Sequence, residues 1–460
     1  MNIILQNYKN LIENLTKEYF TNKIDMVINS FDGYAINNYI NLISSFDNNM
    51  NEFICNSLVE LIKVLDNAYR NSTERKRKYH IKDYKKRTML TIFGQITYYR
   101  TFYKSKLDGK CFCYIDRLLG LKKYDYFDPY IKSEILSYVS DNNYSDTAKH
   151  LNSLIGNRVS LDIKDQIITR QTVRNTILNS KLSKPGYELK KDVDELYIIA
   201  DEKWISTQNN GRKKVMQKSI VIFDGFNKIG KRKSLNNKMT FSGRNDEFIY
   251  DSIDYIEKSY NISNIKRFYM LGDGAIWIDK LKYYFNYNKN IEIIQGLDHF
   301  HFKQCLWRIM PKEDVYNTLV EYIKNNNKVE FDRLTSEIID CTPERGEKII
   351  EYKKYIENHW ENILNISKYN LSCPMESQIS HTFASYFTSR PKGYNKNTID
   401  KLITLRLLNK NGFNIKRLYL NNLNKSEIID LNNKTLDFSI FDSKETYSIL
   451  KRKLNSILAI

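Results

Sequence analysis

Apolar residues recur at spacings of three and four through the first 70 residues, at Ile12, Leu15 and Tyr19 and again at Leu58, Leu61, Ile62 and Leu65. That is the period of amphipathic helices, and it predicts a mainly helical region over 1–75. The pattern then changes: TIFGQITYYRTFY, from Thr91 to Tyr103, is rich in β-branched and aromatic residues and reads as a strand pair or one long strand. The basic run before it, Arg75 to Lys78 and then Lys85-Lys86-Arg87, reads as a solvated loop more readily than as a nucleic-acid contact. Two helical segments follow between Tyr144 and Ser180, one opening near Ser145-Asp146 and one near Thr169, each with an N-cap residue.

Those two helices outline a helix-turn-helix, although the connection NRVSLDIKDQII is longer than the usual turn and an ordinary helical hairpin is the alternative. In a helix-turn-helix the start of the second helix reaches base edges, which nominates Arg170, Gln171 and Arg174 as DNA contacts and 76–185 as a DNA-binding region.

From residue 195 short apolar runs alternate with turns: LYIIA ending in Asp201, VMQKSIVIF, a shorter run from Met239 to Phe241, and a helix from Glu247 to Tyr260. FYMLG ending in Asp273, a helix from Ile276, IEIIQGL ending in Asp298 and a helix through Phe302 to Ile309 complete the series. The order β-β-β-α-β-α-β-α is that of the ribonuclease H fold, so the fold class expected is α/β, with a mixed five-stranded sheet flanked by helices. Acids that end buried strands are costly unless a cation or hydrogen bonds balance them. Hard oxygen ligands select Mg2+ or Mn2+, and a pair of such ions can activate an attacking oxygen and stabilise a leaving one in phosphoryl transfer. Two aspartates need a third acid. CPMESQISHTFASYF has Met375, Ile379 and Phe383 at helical spacing, with Glu376 off that apolar face. The expected ligands and catalytic residues are therefore Asp201, Asp273 and Glu376. Glu202 is the alternative to the first, and Glu357 and Glu361 are rivals for the third.

Composition adds a partner. The chain has 460 residues, with 72 Lys and Arg against 54 Asp and Glu, a formal charge of +18 that suits a polyanion. Abundant Asn, Lys, Ile and Tyr also mark an AT-rich coding sequence, which raises Lys without a functional cause. Six scattered cysteines form no Cys-x-x-Cys pair, as expected of free thiols in a reducing compartment. No stretch approaches eighteen apolar residues and the amino terminus lacks a signal-peptide pattern, so a cytoplasmic protein without a membrane span is expected.

ADEKW, GDGAIWI, LDHFH and CPMESQISHTF followed by SRPKGY resemble the signature blocks of ISLre-type insertion-sequence transposases, bacterial relatives of the Mutator-like transposases. TIFGQITYYRTFY, the DRLLGL segment and the YSDTAKHL helix extend the resemblance to roughly residues 75–395. It implies a DDE-type transposase acting on double-stranded DNA at element ends and target. Asp201, Asp273 and Glu376 match the triad, and Asp298 with His301 is similar to a motif that follows the fifth strand in Mutator-like enzymes. The loop YFTSRPKG and the Cys-Pro that opens the last block depart from the family pattern.

His301 or His381 is expected to support the site, with Asp298, and Arg390 and Lys392 to grip phosphate. The four tryptophans read as core or interface residues rather than base-stacking platforms. The long interval between Asp273 and Glu376 predicts a helical insertion near 310–370 within a catalytic domain over 190–395, followed by a helical or irregular tail over 396–460. Pairing two element ends implies a homo-oligomer by analogy. The rival functions are a nuclease of the same fold without strand transfer, and a DNA-binding regulator that has lost catalysis.

Overall fold

The computed structural model describes residues 35–159, 167–187, 190–208, 214–230, 232–286, 290–388 and 394–423, together with five isolated positions before residue 35. The chain divides into two compact units, Met1–Ser183 with Ile415–Ile460, and Lys184–Asn414. No helix among the described residues is long and apolar enough to cross a membrane.

In the first unit a long helix, Ala35–Asn71, packs against a three-stranded antiparallel sheet of β1 (Tyr79–Thr91), β2 (Gly94–Ser105) and β3 (Cys111–Cys113). The helical amino-terminal region and the β segment therefore share one core, in which Ile62, Tyr69, Tyr98, Tyr103 and Tyr114 are buried together. The helix is tied down by Asp66, whose carboxylate accepts from the amide and hydroxyl of Thr101 inside β2. The β1–β2 turn lies at Thr91–Gly94, so the upstream basic residues Lys85, Lys86 and Arg87 sit in a strand and not in the loop expected for them. Within that run Arg87 is structural: it pairs with Asp116 at 3.1 Å and donates to the carbonyls of Lys122 and Asp125, while Arg100 pairs with the other oxygen of Asp116.

Three further helices, Pro129–Val139, Tyr144–Val159 and Arg170–Asn179, pack on one another. Asn143, not Ser145, brackets the start of the second, accepting from the Asp146 amide at 2.9 Å. Thr169 caps the third as expected, in a reciprocal arrangement with Thr172. Most of the connection between these two helices, 160–166, lies outside the described residues.

The second unit is built on five strands, β4 (Glu195–Ser206), β5 (Lys214–Phe223), β8 (Met239–Gly243), β9 (Arg267–Gly272) and β10 (Glu292–Leu297). Their order is β10-β9-β4-β5-β8; β4, β5 and β8 are antiparallel neighbours, and β9 and β10 run parallel to β4. A small hairpin, β6 (Phe226–Ile229) and β7 (Arg232–Leu235), interrupts the series between β5 and β8 and was not foreseen in the sequence pattern. Leu196, Ile198 and Ala200 face the helix Glu247–Ser259 and the short helices Ile276–Asp279 and Leu281–Phe285 across one core. Both sheet edges are capped by side-chain amides: Asn411 bonds both backbone groups of Thr240 in β8, and Asn365 donates to the Gln295 carbonyl in β10. Four helices occupy the long interval, Glu313–Lys324, Lys328–Cys341, Gly346–Asn358 and Trp360–Lys368, and share a core with the helix His299–Ile309. The helix Lys396–Lys410, expected in a separate tail, belongs to this unit and packs on β8.

Asp116→Ala strands two guanidinium groups whose side chains are only 5% and 15% exposed. Because removing one partner of a buried ion pair leaves an uncompensated charge, urea unfolding of the variant is expected to show a loss of about 3 kcal/mol.

Candidate active site

The parallel register gathers the acids. Ile199 of β4 pairs with Leu271 of β9, and Gly272 of β9 with Leu297 of β10. Continued by two residues and by one, that register sets Asp201 beside Asp273 and Asp273 beside Asp298. The Asp298 amide carries the ladder on by donating to the Gly272 carbonyl at 2.6 Å. Asp201 is not at the end of its strand, as the apolar run predicts: β4 continues to Ser206 because β5 still pairs with it, and only its pairing with β9 stops at Ile199. Alternation along β4 puts the neighbouring acids on opposite faces. Glu202 falls on the face of Ile198 and Ala200 and accepts from the Trp277 indole at 2.9 Å, whereas Asp201 falls on the opposite face with Ile199.

Each carboxylate is held by a backbone amide close to it in sequence. Asp201 accepts from Glu202 at 2.6 Å, Asp273 from Ala275 at 2.9 Å, and Asp298, the N-cap of the helix His299–Ile309, from Phe300 at 3.2 Å. Burial, with the nearby charges of Asp273 and Glu376, pushes the Asp201 carboxyl up to about 6 despite its amide and the opposing His301. Asp298 is also raised, first by burial and then by Glu376. The helix Met375–Ile379 packs against β4 and carries Glu376 on its exposed first turn, so this acid reaches both aspartates electrostatically. Met375, Ile379 and Phe383 are buried as their spacing predicts, but the helix changes to a π-helix over Ser380–Thr388.

His301 stands by the acids, its Nε2 3.9 Å from Asp298 Oδ2. His381 is exposed, and what Arg406 grips there is its backbone carbonyl. Glu357 lies by Lys353 and Asp332, and Glu361 is exposed on its helix. Arg390 and Lys392 lie outside the described residues. Arg170 and Gln171 are exposed at the start of their helix and Arg174 is half-buried. Of the tryptophans, Trp360 is buried and Trp277 packs on the core, while Trp204 and Trp307 are about half exposed.

Sequence reasoning missed the residues that hold the Asp273 loop. The Tyr355 hydroxyl donates to the Asp273 carbonyl, and His359, stacked on Tyr355, has Nε2 3.2 Å from the Gly274 carbonyl. Gly274 has φ +82°, and a Cβ there would stand 2.1 Å from His359 Nε2; at Gly272 it would stand 3.0 Å from the Ala200 carbonyl oxygen. The loop thus needs both glycines, one for its turn and the imidazole, the other for the close approach of β4. Cys373 was missed too: its thiol is pushed well up by burial and by Asp298, Asp201 and Asp273.

Among the described residues, no three His, Cys, Asp or Glu side chains are gathered closely enough to hold a metal ion as they stand. The donor type fits a hard divalent cation nonetheless, since a half-buried carboxyl raised by two like charges is what such a cation would relieve.

Residues 35–422 match the model of an uncharacterised protein family, UPF0236. The chain belongs to this family. A UPF0236 protein of Caldanaerobacter subterraneus subsp. tengcongensis, whose name joins four locus designations, is 28% identical over 78% of the chain and 75% of its own length. Another from the same organism, whose name joins eleven, is 26% identical over 78% and 75%. The "UPF0236 protein in vanSb 3′region" of Streptococcus gallolyticus is 22% identical over 71% and 73%.

Ionising Asp201 in its folded site costs roughly 3 kcal/mol at neutral pH, because its carboxyl is raised from 3.8 to about 6. The folded state binds this proton more tightly than the unfolded chain, so the penalty appears as pH rises between those values. Asp201→Asn is therefore expected to raise Tm by several degrees at pH 7.5, and the gain should shrink to nothing near pH 4 in a thermal melt. In the same measurement millimolar Mg2+ or Mn2+ should raise the Tm of the wild type and leave that of Asp201→Asn nearly unchanged.

Proposed function

We propose that this chain is the DDE transposase of an insertion sequence of the ISLre type, and that its second unit is a ribonuclease-H-like catalytic domain. The observation that carries the reading is the register that sets Asp201 and Asp273 side by side where two adjacent parallel strands part, with the charge of Glu376 acting on Asp201. Numbering the five strands along the chain gives the spatial order 3-2-1-4-5, with only the second antiparallel to the rest, in keeping with that fold. The relatives add support of another kind. A name that joins eleven loci of one organism is what a sequence copied about its genome would acquire.

In this reading Asp201, Asp273 and Glu376 are the residues that would hold Mg2+ or Mn2+. Such ions supply Lewis-acid activation of the attacking oxygen and stabilise the leaving one. Asp201 and Asp273 each accept their backbone amide on Oδ1. The Tyr355 and His359 bonds fix the Asp273 and Gly274 carbonyls and so the backbone that carries Asp273, and Asp298 keeps His301 beside the acids. A water oxygen attacks phosphorus at the element end and the bond to the 3′ oxygen breaks, leaving a 3′-hydroxyl. That hydroxyl then attacks a target phosphodiester, so one P–O bond is made for each one broken and no covalent enzyme intermediate forms.

Purified full-length protein, given duplexes carrying the ends of the DNA that flanks its gene, is expected to nick them and join them to a target plasmid in Mg2+ or Mn2+. Asp201→Asn, Asp273→Asn and Glu376→Gln should each lower both steps by at least about a thousandfold while duplex affinity changes less than about threefold. Cleavage without joining would identify a nuclease of this fold, and full activity in Asp273→Asn would refute the assignment of the acids.

A further inference from the structure

Strand β1 departs from the alternation of a packed strand. All seven residues from His80 to Lys86 are exposed, whichever face of the sheet they occupy. With the facing stretch of β2, which pairs on its other side with β3 over Phe102–Lys104, they form an edge ribbon of the three-stranded sheet that carries Lys82, Lys85 and Lys86, and Lys76, Arg77 and Lys78 are exposed just before it. Among the described residues, no carboxylate pairs with Lys82, Lys85 or Lys86. The ammonium groups of Lys82 and Lys85 instead lie over the Phe102 ring, 5.9 and 4.1 Å from its centre. Asp83 is the acid among these seven residues, and its Oδ1 accepts from the Tyr84 amide. Elsewhere on the surface lysines do take carboxylate partners, as in Lys258–Asp254 and Lys266–Asp194. Two large aromatic side chains, Tyr84 and Tyr99, are 50% and 63% exposed on the same ribbon, and Arg70 braces Tyr84 from the helix.

An edge strand gains protection from edge-to-edge pairing with a single lysine. Three unpaired ones crowded within five residues exceed that need and repel one another. The Phe102 ring, and the Cys111 sulfur that accepts from Lys82 at 3.7 Å, answer two of them without neutralising either; a polyanion neutralises all three.

We propose that the ribbon formed by His80–Lys86 and the facing part of β2 is a docking surface for double-stranded DNA, with Lys82, Lys85 and Lys86 on backbone phosphates. This rests on the reading that the chain acts on DNA, and it assigns binding to a surface apart from the helix start at Arg170.

The test is a salt titration of duplex affinity by fluorescence anisotropy, with a mixed-sequence duplex and the full chain. Each phosphate contact contributes about 0.9 to the slope of log affinity against log salt. The triple variant Lys82→Gln, Lys85→Gln, Lys86→Gln should thus lower the slope by about 2.7 and weaken binding on the order of tenfold or more at low salt. The same positions changed to Arg should retain both. A control that removes equal charge from exposed sites of the second unit, Lys312→Gln, Lys348→Gln, Lys354→Gln, should leave the slope unchanged. Equal slopes for the ribbon variant and the wild type overturn the proposal, and so do equal losses in both triples. A wild type that binds no duplex at any salt overturns the DNA-acting reading itself, and this proposal with it.

Discussion

Three adjacent parallel strands that place an aspartate at the same level force like charges together at one rim of a buried sheet. That repulsion is the constraint on which the second unit is organised. Asp201, Asp273 and Asp298 each take a nearby backbone amide, the strongest local answer a carboxylate has, yet Asp201 and Asp298 still stay above their ordinary range. One local hydrogen bond does not offset burial beside other acids. The surrounding chain then fixes the backbone rather than the carboxylates. Gly272 lets β4 approach, Gly274 turns the loop, and Tyr355 and His359 take the carbonyls on either side of that turn. These glycines and half-buried polar groups hold the backbone where the acids crowd, and clusters of raised carboxyls of this kind are candidates for functional sites.

The sheet was legible in the sequence because its strands are buried on both faces and so appear as unbroken apolar runs, LYIIA and SIVIF among them. The same feature hid where strands end. β4 runs five residues past Asp201 through positions of mixed exposure, from the exposed Trp204 to the buried Ile205, whose pairing with β5 cannot be read from polarity. The hairpin β6–β7 left no strand signal, because FNKI and RKSL are only four residues each and mix polar with apolar positions. The Tyr355 contact spans 82 residues and crosses into the inserted helices, where a tyrosine and a histidine look like any other half-buried pair. Glu376 was readable only as an acid off an apolar helical face; that its charge reaches Asp201 depends on how its short helix packs on β4.

Charge counting fared differently in the first unit, since one basic run serves two ends. Arg87 and Arg100 turn inward to share Asp116, where the planar guanidinium can bond two oxygens and backbone carbonyls at once. Lys82, Lys85 and Lys86, one to five residues before Arg87, stay outside without carboxylates. A lysine ammonium is strongly hydrated and poorly suited to such burial, so the residue types sort the run before any partner arrives. An AT-rich coding sequence explains an excess of lysine in general, but not its concentration in an exposed, uncompensated ribbon.

The acids also differ in access, which gives the cluster a direction. Asp298 is buried, Asp201 and Asp273 are half-buried, and Glu376 is exposed. The polypeptide behind Glu376 is a π-helix whose widened turn leaves carbonyls that an α-helix would satisfy differently, and Arg406 donates to those of His381 and Thr382 while stacking on Tyr386. A buried guanidinium thus stabilises the irregular segment that follows the short helix carrying Glu376. The graded access of the acids follows from the element that carries each: strands of a buried sheet for the aspartates, an exposed position on a short helix packed on β4 for Glu376.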